Sequence, residues 1–298
     1  MAQRNRTGES PAVDRPRLDP ELLAERPAPD RWEQDLRVPA DLSCWPGHFP
    51  DRPILPGVLQ LDWAMQLLAR WLGGEAWPRR AEGLKFKQFI LPGQALTLVL
   101  EREAGGGSFR FRIVHGATTF SLGRIVVAAA ALHSPRANSG RRTTLVSVPD
   151  FPAVADILPH SGSMVLLERV TSHAGDATVC AAEIEDDALL RGASGDVPAW
   201  MGLEYMAQCI AAHSGLLGLA GGDPPRMGFL VGSRRLTFHA HSFRRGQRLT
   251  VQARRVWGGT RGMVAFDCGI TDADTGALLA EGRLGCFTPG DGAVGEEA

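Results

Sequence analysis

The sequence predicts an α+β protein made of two copies of one unit, each a long apolar helix followed by an antiparallel sheet. An internal repeat, a helix at the head of each copy and short strand-like segments behind each helix predict it. Pro56, Leu61, Asp62 and Gln66 recur 142 positions later as Pro198, Leu203, Glu204 and Gln208. LKF at 84–86 with GQALT at 93–97 returns as LTF at 236–238 with GQRLT at 246–250. SLGRI at 121–125 has its echo in AEGRL at 280–284. The order is kept and only small insertions separate the matches, so one fold occurs twice. The chain's 298 residues also suit two domains, at roughly 100–200 residues each.

The elements follow in order. Residues 1–30 are rich in Pro, Arg, Asp and Glu without apolar periodicity, which predicts a flexible tail. Residues 31–134 form the first block. Its helix runs from Pro56 to about Leu72, with Pro near the first helical position, where a missing N–H costs nothing. The helix is apolar nearly all round, as expected of one wrapped by other structure. A narrow polar stripe, Asp62–Gln66–Arg70, runs along it at i, i+4 spacing. LKFKQFI, ALTLVLE, SFRFRIV and FSLGRIVVA follow as strands, separated by turn residues. Residues 135–145 read as a linker. The second block, 146–290, opens its helix at Pro198, with Asp196 as a candidate cap, and carries the stripe Glu204–Gln208. RRLTFHA, RLTVQARRV, GMVAFDCGI and LLAEGRLGCF are its strands, and 291–298 is a second tail. One buried helix with an antiparallel sheet is an α+β arrangement.

Composition excludes several classes. A net charge of -1 argues against a dedicated nucleic-acid binder. No apolar run of 18 residues occurs, and Tyr205–Ala220 is broken by Gln208, His213 and Ser214, so no transmembrane helix is expected. No apolar signal core opens the sequence. The five cysteines are scattered and odd in number, with no C-x-x-C, which predicts free thiols and a cytoplasmic location. Of the basic residues only Lys85 and Lys87 are lysines.

The chemistry begins in GHFPDRPILPG, residues 47–57. His48 sits there between Gly47 and three prolines that stiffen the loop. A rigidly held imidazole titrating near neutrality suits acid–base work, and a packed or solvent-facing histidine is the competing reading. The motif His48-Phe49-Pro50, Pro53 and Leu55-Pro56-Gly57-Val58 resembles the active-site loop of the β-hydroxyacyl-ACP dehydratases of the FabA/FabZ type. The string GHFPDRPILPGVLQLDWA is similar to the ApeI-like members of aryl polyene pathways. LPHSGSMVLLERV, VPAWMGLEYMAQ, GFLVGSRR and FDC in the second block resemble the companion ApeP-like dehydratases. The resemblance covers most of 40–130 and 150–288.

That resemblance implies a double hotdog, two long helices each wrapped by a curved antiparallel sheet and paired as a pseudo-dimer, with further homo-oligomers left open. The reaction it implies is loss of water from a 3-hydroxyacyl thioester, on acyl carrier protein, to give a trans-2-enoyl thioester. The partner is then an acyl carrier protein with a 4'-phosphopantetheine-linked substrate, and no metal or other cofactor is implied. His48 is the expected base. A buried carboxyl with a raised pKa is the expected acid or water-positioning group. Backbone N–H groups at the helix starts, Gly57 or Ala199, are the expected oxyanion donors.

In the family an acidic residue lies 14 positions after the histidine. Here that residue is Asp62, whereas the position 14 before Glu204 is Leu190, not His. Family active sites take their histidine and carboxylate from different subunits. His48 is therefore expected to face Glu204 across the two halves, one site per chain, with Leu190 and Asp62 silent. Asp62 as the acid is the alternative.

Other candidates carry less. Gln66 and Gln208 read as partners within the polar stripe, Tyr205 as interface packing, and His160 as a structural turn residue. His239 and His241 alternate on a strand without a third ligand. Cys44 as a nucleophile lacks an orienting third group. Arginines cluster at Arg79–Arg80, Arg234–Arg235, Arg244–Arg245 and Arg248. Arg234 and Arg235 are the preferred docking residues for an acidic carrier protein. A hotdog thioesterase and a non-catalytic scaffold that binds acyl chains are the competing functions. Acyl chain length and pathway product are not legible.

Overall fold

The computed structural model describes residues 16–74, 77–127, 150–186, 188–192, 194–222 and 227–289. The first half contributes β1 (Glu21–Pro27), β2 (Arg31–Arg37), α1 (Gly57–Leu72), β3 (Pro78–Phe86), β4 (Ala95–Arg102), β5 (Ser108–His115) and β6 (Thr118–Val127). The second contributes the short α2 (Val154–Ile157), then β7 (Arg169–Ala174), β8 (Ala177–Glu183) and β9 (Val197–Pro198). The 3₁₀ turn Ala199–Met201 leads into α3 (Gly202–Ala220). After it come β10 (Phe229–Phe238), β11 (Ser242–Phe243), β12 (Arg248–Trp257), β13 (Gly262–Asp272) and β14 (Leu278–Thr288).

Twelve strands form one antiparallel sheet in the order β1-β2-β4-β5-β6-β3-β10-β14-β13-β12-β8-β7. Reading outward from the β3–β10 joint, the two halves run in the same order. β3 matches β10, β6 matches β14, β5 matches β13, β4 matches β12, β2 matches β8 and β1 matches β7. This is the repeat of the sequence written as a pseudo-twofold, and each half wraps its own helix. The fold is a double hotdog.

Alternation explains the wrapping. Leu96, Leu98 and Leu100 on β4, Phe109, Phe111 and Ile113 on β5, and Leu249, Val251 and Ala253 on β12 all turn inward and are buried. Against them lies α1, buried at every position from Val58 to Met65. It stops where Gly73 takes the left-handed conformation (φ 71°) that a side chain disfavours.

Some expectations need correction. The tail predicted over 1–30 is corrected over its last part, because β1 pairs with β2 along its length, and residues 1–15 lie outside the described residues. All seven β1 residues are exposed, so no apolar face announces the strand. Backbone pairing holds it, with Arg26 bridging to Glu33 and Asp35 (3.0 and 2.6 Å). Trp63 also donates its indole N–H to the Leu18 carbonyl (2.9 Å). Asp196 does not cap the second helix; its carboxylate accepts from the Ser242 hydroxyl (3.3 Å) and the Arg245 N–H (3.2 Å). The linker at 135–145 and the tail at 291–298 lie outside the described residues.

The joint between halves is a backbone ladder in which Gly232 pairs with Lys85 and Ser233 with Leu84. A Cβ on Gly232 would stand 2.0 Å from the Leu84 carbonyl oxygen. Gly232→Ala is therefore expected to destabilise the protein by about 1–3 kcal/mol or more, since backbone cannot yield as a side chain does. An unchanged urea midpoint would show that the seam tolerates a side chain.

Candidate active site

The sequence folds His48 into a tight, proline-stiffened loop. The Cys44 carbonyl accepts from the N–H groups of Gly47 (3.1 Å) and His48 (3.0 Å). The imidazole is buried, and its Nδ1 lies 2.8 Å from the Ile54 carbonyl oxygen. A carbonyl can only accept, so Nδ1 carries the proton and the neutral ring keeps its lone pair on Nε2. Burial pushes this imidazole below its ordinary pKa, against the pull of the Glu204 carboxylate.

The same loop is fastened to the second half. Ser161 donates its N–H to the Gly47 carbonyl (3.1 Å) and its hydroxyl to the Pro46 carbonyl (2.9 Å). Gly47 is required for this approach, because a Cβ there would stand 2.3 Å from the Ser161 carbonyl oxygen. The contact carries His48 to the first turn of α3, where Glu204 is buried.

Glu204 Oε1 accepts from Gln208 Nε2 (3.0 Å) and lies 3.3 Å from His160 Nε2. One nitrogen or carboxylate oxygen from each of His48, His160 and Glu204 lies within 4.8 Å of the others. Among the described residues this is the one group with the donor set to hold a metal ion. Burial alone raises the Glu204 pKa. The hydrogen bond and charge of His160, the nearby His48 and the Gln208 hydrogen bond outweigh it and hold the carboxyl well below the usual range. The raised carboxyl expected here is thus not Glu204, whose pKa is lowered. His160, expected to be structural, lies in the site. Its signal was present in LPHSGSMVLLERV, but no spacing rule tied that turn to the helix.

Asp62 holds the mirror position and is differently placed. Its Oδ1 accepts from the Trp200 indole N–H (2.9 Å) and its Oδ2 from Gln66 Nε2 (2.9 Å), so both oxygens are engaged by protein. Burial pushes it up to about 6, against those two hydrogen bonds. Leu190, where the mirror histidine would stand, is buried in the core.

A cavity of ≈ 910 Å³ opens between the halves, lined by His48, His160 and Glu204 and not by Asp62. Its helical wall includes Glu204, Ala207, Ala211 and Ser214, spaced to share one face of α3, with Ile210 beside them and Gln60 from α1. Small side chains there leave room. The counterparts 142 positions earlier are Asp62, Met65, Ala69 and Leu72, and Met65 is buried. Most of the remaining lining is apolar, including Phe86, Phe89, Phe229, Met263 and Phe287. Volume and lining suit a long apolar ligand.

The remaining candidates sort out by contact. Gly57 lines the cavity at the start of α1, where its N–H has no acceptor within the helix. Ala199 is corrected as an oxyanion donor, because its N–H already donates to the His241 carbonyl (3.0 Å). Arg234 lines the cavity, whereas Arg235 leans toward Glu82 (3.6 Å) and does not. Burial pushes the Cys44 thiol up to about 12, which opposes a nucleophilic role. His239 faces Glu281 (3.2 Å), and the buried Tyr205 ring packs edge-on against Phe243. No helix among the described residues is long and apolar enough to cross a membrane.

The chain thus sets an imidazole and a carboxylate at the wall of an apolar cavity on a double hotdog, and comparison with known proteins places it among the dehydratases. Residues 24–124 match the ApeI-like family model, described as ApeI dehydratase, and residues 152–294 match the ApeP-like model, described as ApeP dehydratase. The chain belongs to the two-domain hotdog dehydratases, with an ApeI-like first half and an ApeP-like second half.

Among curated relatives, the 3-hydroxyacyl-(acyl-carrier-protein) dehydratase FabZ of Mannheimia succiniciproducens is 37% identical over 98 residues, covering 29% of this chain and 65% of the relative. FabZ of Granulibacter bethesdensis is 35% identical over 85 residues, covering 25% and 50%. The chain thus spans half to two thirds of the length of these relatives. Two solved structures share the whole fold. The dehydratase domain of RzxB from Pseudomonas fluorescens has a TM-score of 0.65 at 18% identity, covering 91% of this chain and 99% of that one. The dehydratase domain of PpsC from Mycobacterium tuberculosis, in complex with C12:1-CoA, has a TM-score of 0.64 at 14% identity, covering 92% and 100%.

Asp62 offers a test by pH. Its folded pKa of about 6 lies above the ordinary 3.8, so the protonated carboxyl stabilises the fold below the unfolded value, and that contribution is lost as pH rises through 6. Wild type is expected to lose on the order of 3 kcal/mol relative to Asp62→Asn between about pH 4 and about pH 7, read by urea unfolding. Parallel stability curves would contradict this placement.

Proposed function

We propose that the chain removes water from 3-hydroxyacyl thioesters carried on the phosphopantetheine arm of an acyl carrier protein, giving trans-2-enoyl thioesters at one composite site. The observation that carries this reading is the pairing across the halves of a neutral His48, its Nε2 unbonded among the described residues, with an ionised Glu204. His48 Nε2 takes the proton from C2. As the C3–O bond breaks, the imidazolium returns that proton to the departing hydroxide, and water leaves. Glu204 accepts a hydrogen bond from the substrate hydroxyl, aims it at His48, and stabilises the transient imidazolium. The Gly57 N–H at the start of α1 faces the developing thioester oxyanion. Protons balance and the enzyme ends in its starting state.

The family matches on both halves support aryl polyene, polyketide or fatty-acid-like synthesis as the setting. Intact-mass analysis of a 3-hydroxyacyl carrier protein tests the reaction. Wild type and Asp62→Asn are expected to lose water, while His48→Ala and Glu204→Gln lose roughly 10²–10⁴-fold in rate. Loss of activity in Asp62→Asn but not in Glu204→Gln would move the carboxylate to the first half. Release of free acid would point to a thioesterase, and carrier binding without product to a scaffold.

Carrier docking rests on the basic residues at the cavity, Lys85, Lys87 and Arg234, which complement an acidic partner. Arg234→Glu is expected to raise KM for the acyl carrier protein several-fold, more at low salt, with kcat unchanged. An unchanged KM would place the docking surface elsewhere.

A further inference from the structure

His160 stands at a junction of three elements. The turn that carries it follows α2, which ends at Ile157. Its neighbour Ser161 is bonded to Gly47 and Pro46 of the first half. Downstream, Gln208 of α3 donates to the Met164 carbonyl (2.7 Å) and accepts from the Leu166 N–H (2.9 Å). The turn is thus fixed at both ends to the two elements that supply His48 and Glu204. The ring packs against Phe49 and His48, with centroids 5.1 and 5.3 Å away.

Its polar atoms are unequal. Nε2 faces Glu204 Oε1 at 3.3 Å, while Nδ1 is buried with no hydrogen-bond partner among the described residues. A buried, unsatisfied nitrogen is a cost that native structures seldom keep without a use. Oε1 also takes the Gln208 donor, so both neighbours approach the same carboxylate oxygen. Asp62 provides the internal control. Its two oxygens are divided between Trp200 and Gln66, no imidazole reaches it, and it does not line the cavity.

We infer that His160 is a positioning residue for the dehydration. Its Nε2–H and that of Gln208 gather on Oε1 of Glu204, which turns Oε2 toward the substrate hydroxyl and keeps the carboxylate charged. The inference rests on the dehydratase reading for its kinetic consequence, but the link between His160 and Glu204 can be read without turnover.

The experiment therefore has two arms on the full chain. His160→Phe keeps the ring volume and removes the donor; His160→Gln keeps a donor and removes the ring. In the first arm, the protonated-carboxyl infrared band that is absent in Glu204→Gln is titrated. The band is expected to appear only at acid pH in wild type, and at a pH at least one unit higher in His160→Phe. In the second arm, His160→Phe is expected to lower kcat roughly 10²-fold with KM within threefold. The acid limb of its kcat/KM profile should move up, and His160→Gln should recover at least tenfold of the loss. An unchanged infrared titration overturns the inference whether or not the wild type dehydrates. So does a kcat loss with an unmoved pH profile, which is what a merely structural turn residue would give. If His160→Phe does not fold, the same titration in His160→Gln decides: an upward shift supports the link between the imidazole and Glu204, and no shift overturns it. Absence of water loss by wild type counts against the dehydratase reading alone.

Discussion

The backbone ladder between β3 and β10 governs the rest of the structure. Two curved sheets, each with an edge strand, remove that liability by pairing edge to edge. The pairing is close enough that position 232 has no room for a Cβ. Joined this way, the two halves set α1 and α3 side by side beneath one sheet. The His48 loop of the first half then meets α3 of the second, and the Ser161–Gly47 contact locks it there. The site follows from the seam, because His48 comes from the first half and His160 and Glu204 come from the second.

The two halves match different family models, and they differ at the positions that build the site. A symmetric pseudo-dimer would carry two sites. Here the second half replaces the loop histidine with Leu190 and puts Ala207 and Ser214 where the first half has Met65 and Leu72. Room for a ligand is thus kept beside the helix that bears Glu204. Asp62 persists as a buried carboxyl engaged by Trp200 and Gln66, and its raised pKa records how poorly that environment suits a charge.

Much of this was legible in the sequence, for physical reasons that differ by element. The helices were legible because Pro56 and Pro198 mark their starts and their apolar residues run nearly all round. β4, β5 and β12 were legible because their inward positions alternate. β1 was not, because an edge strand with every residue exposed is held by backbone pairing and arginine bridges, which leave no period-2 trace. The closeness of His48 to Glu204 followed from the offset between copies together with the family's shared sites. The role of His160 was hidden, since a turn 44 residues before α3's glutamate has no periodic relation to it. The pKa of Glu204 was hidden as well: burial predicts a raised value, and the imidazoles placed by the tertiary fold, with the Gln208 hydrogen bond, reverse it.

The proposed function requires one composite site per chain, made by His48 and Glu204. A crystal structure with a 3-hydroxyacyl pantetheine amide bound tests it most directly. The account predicts one ligand per chain, in the cavity beside α3, with C2 directed at His48 Nε2 and the 3-hydroxyl at Glu204 Oε2. A ligand seated against Asp62, or two ligands per chain, would contradict it.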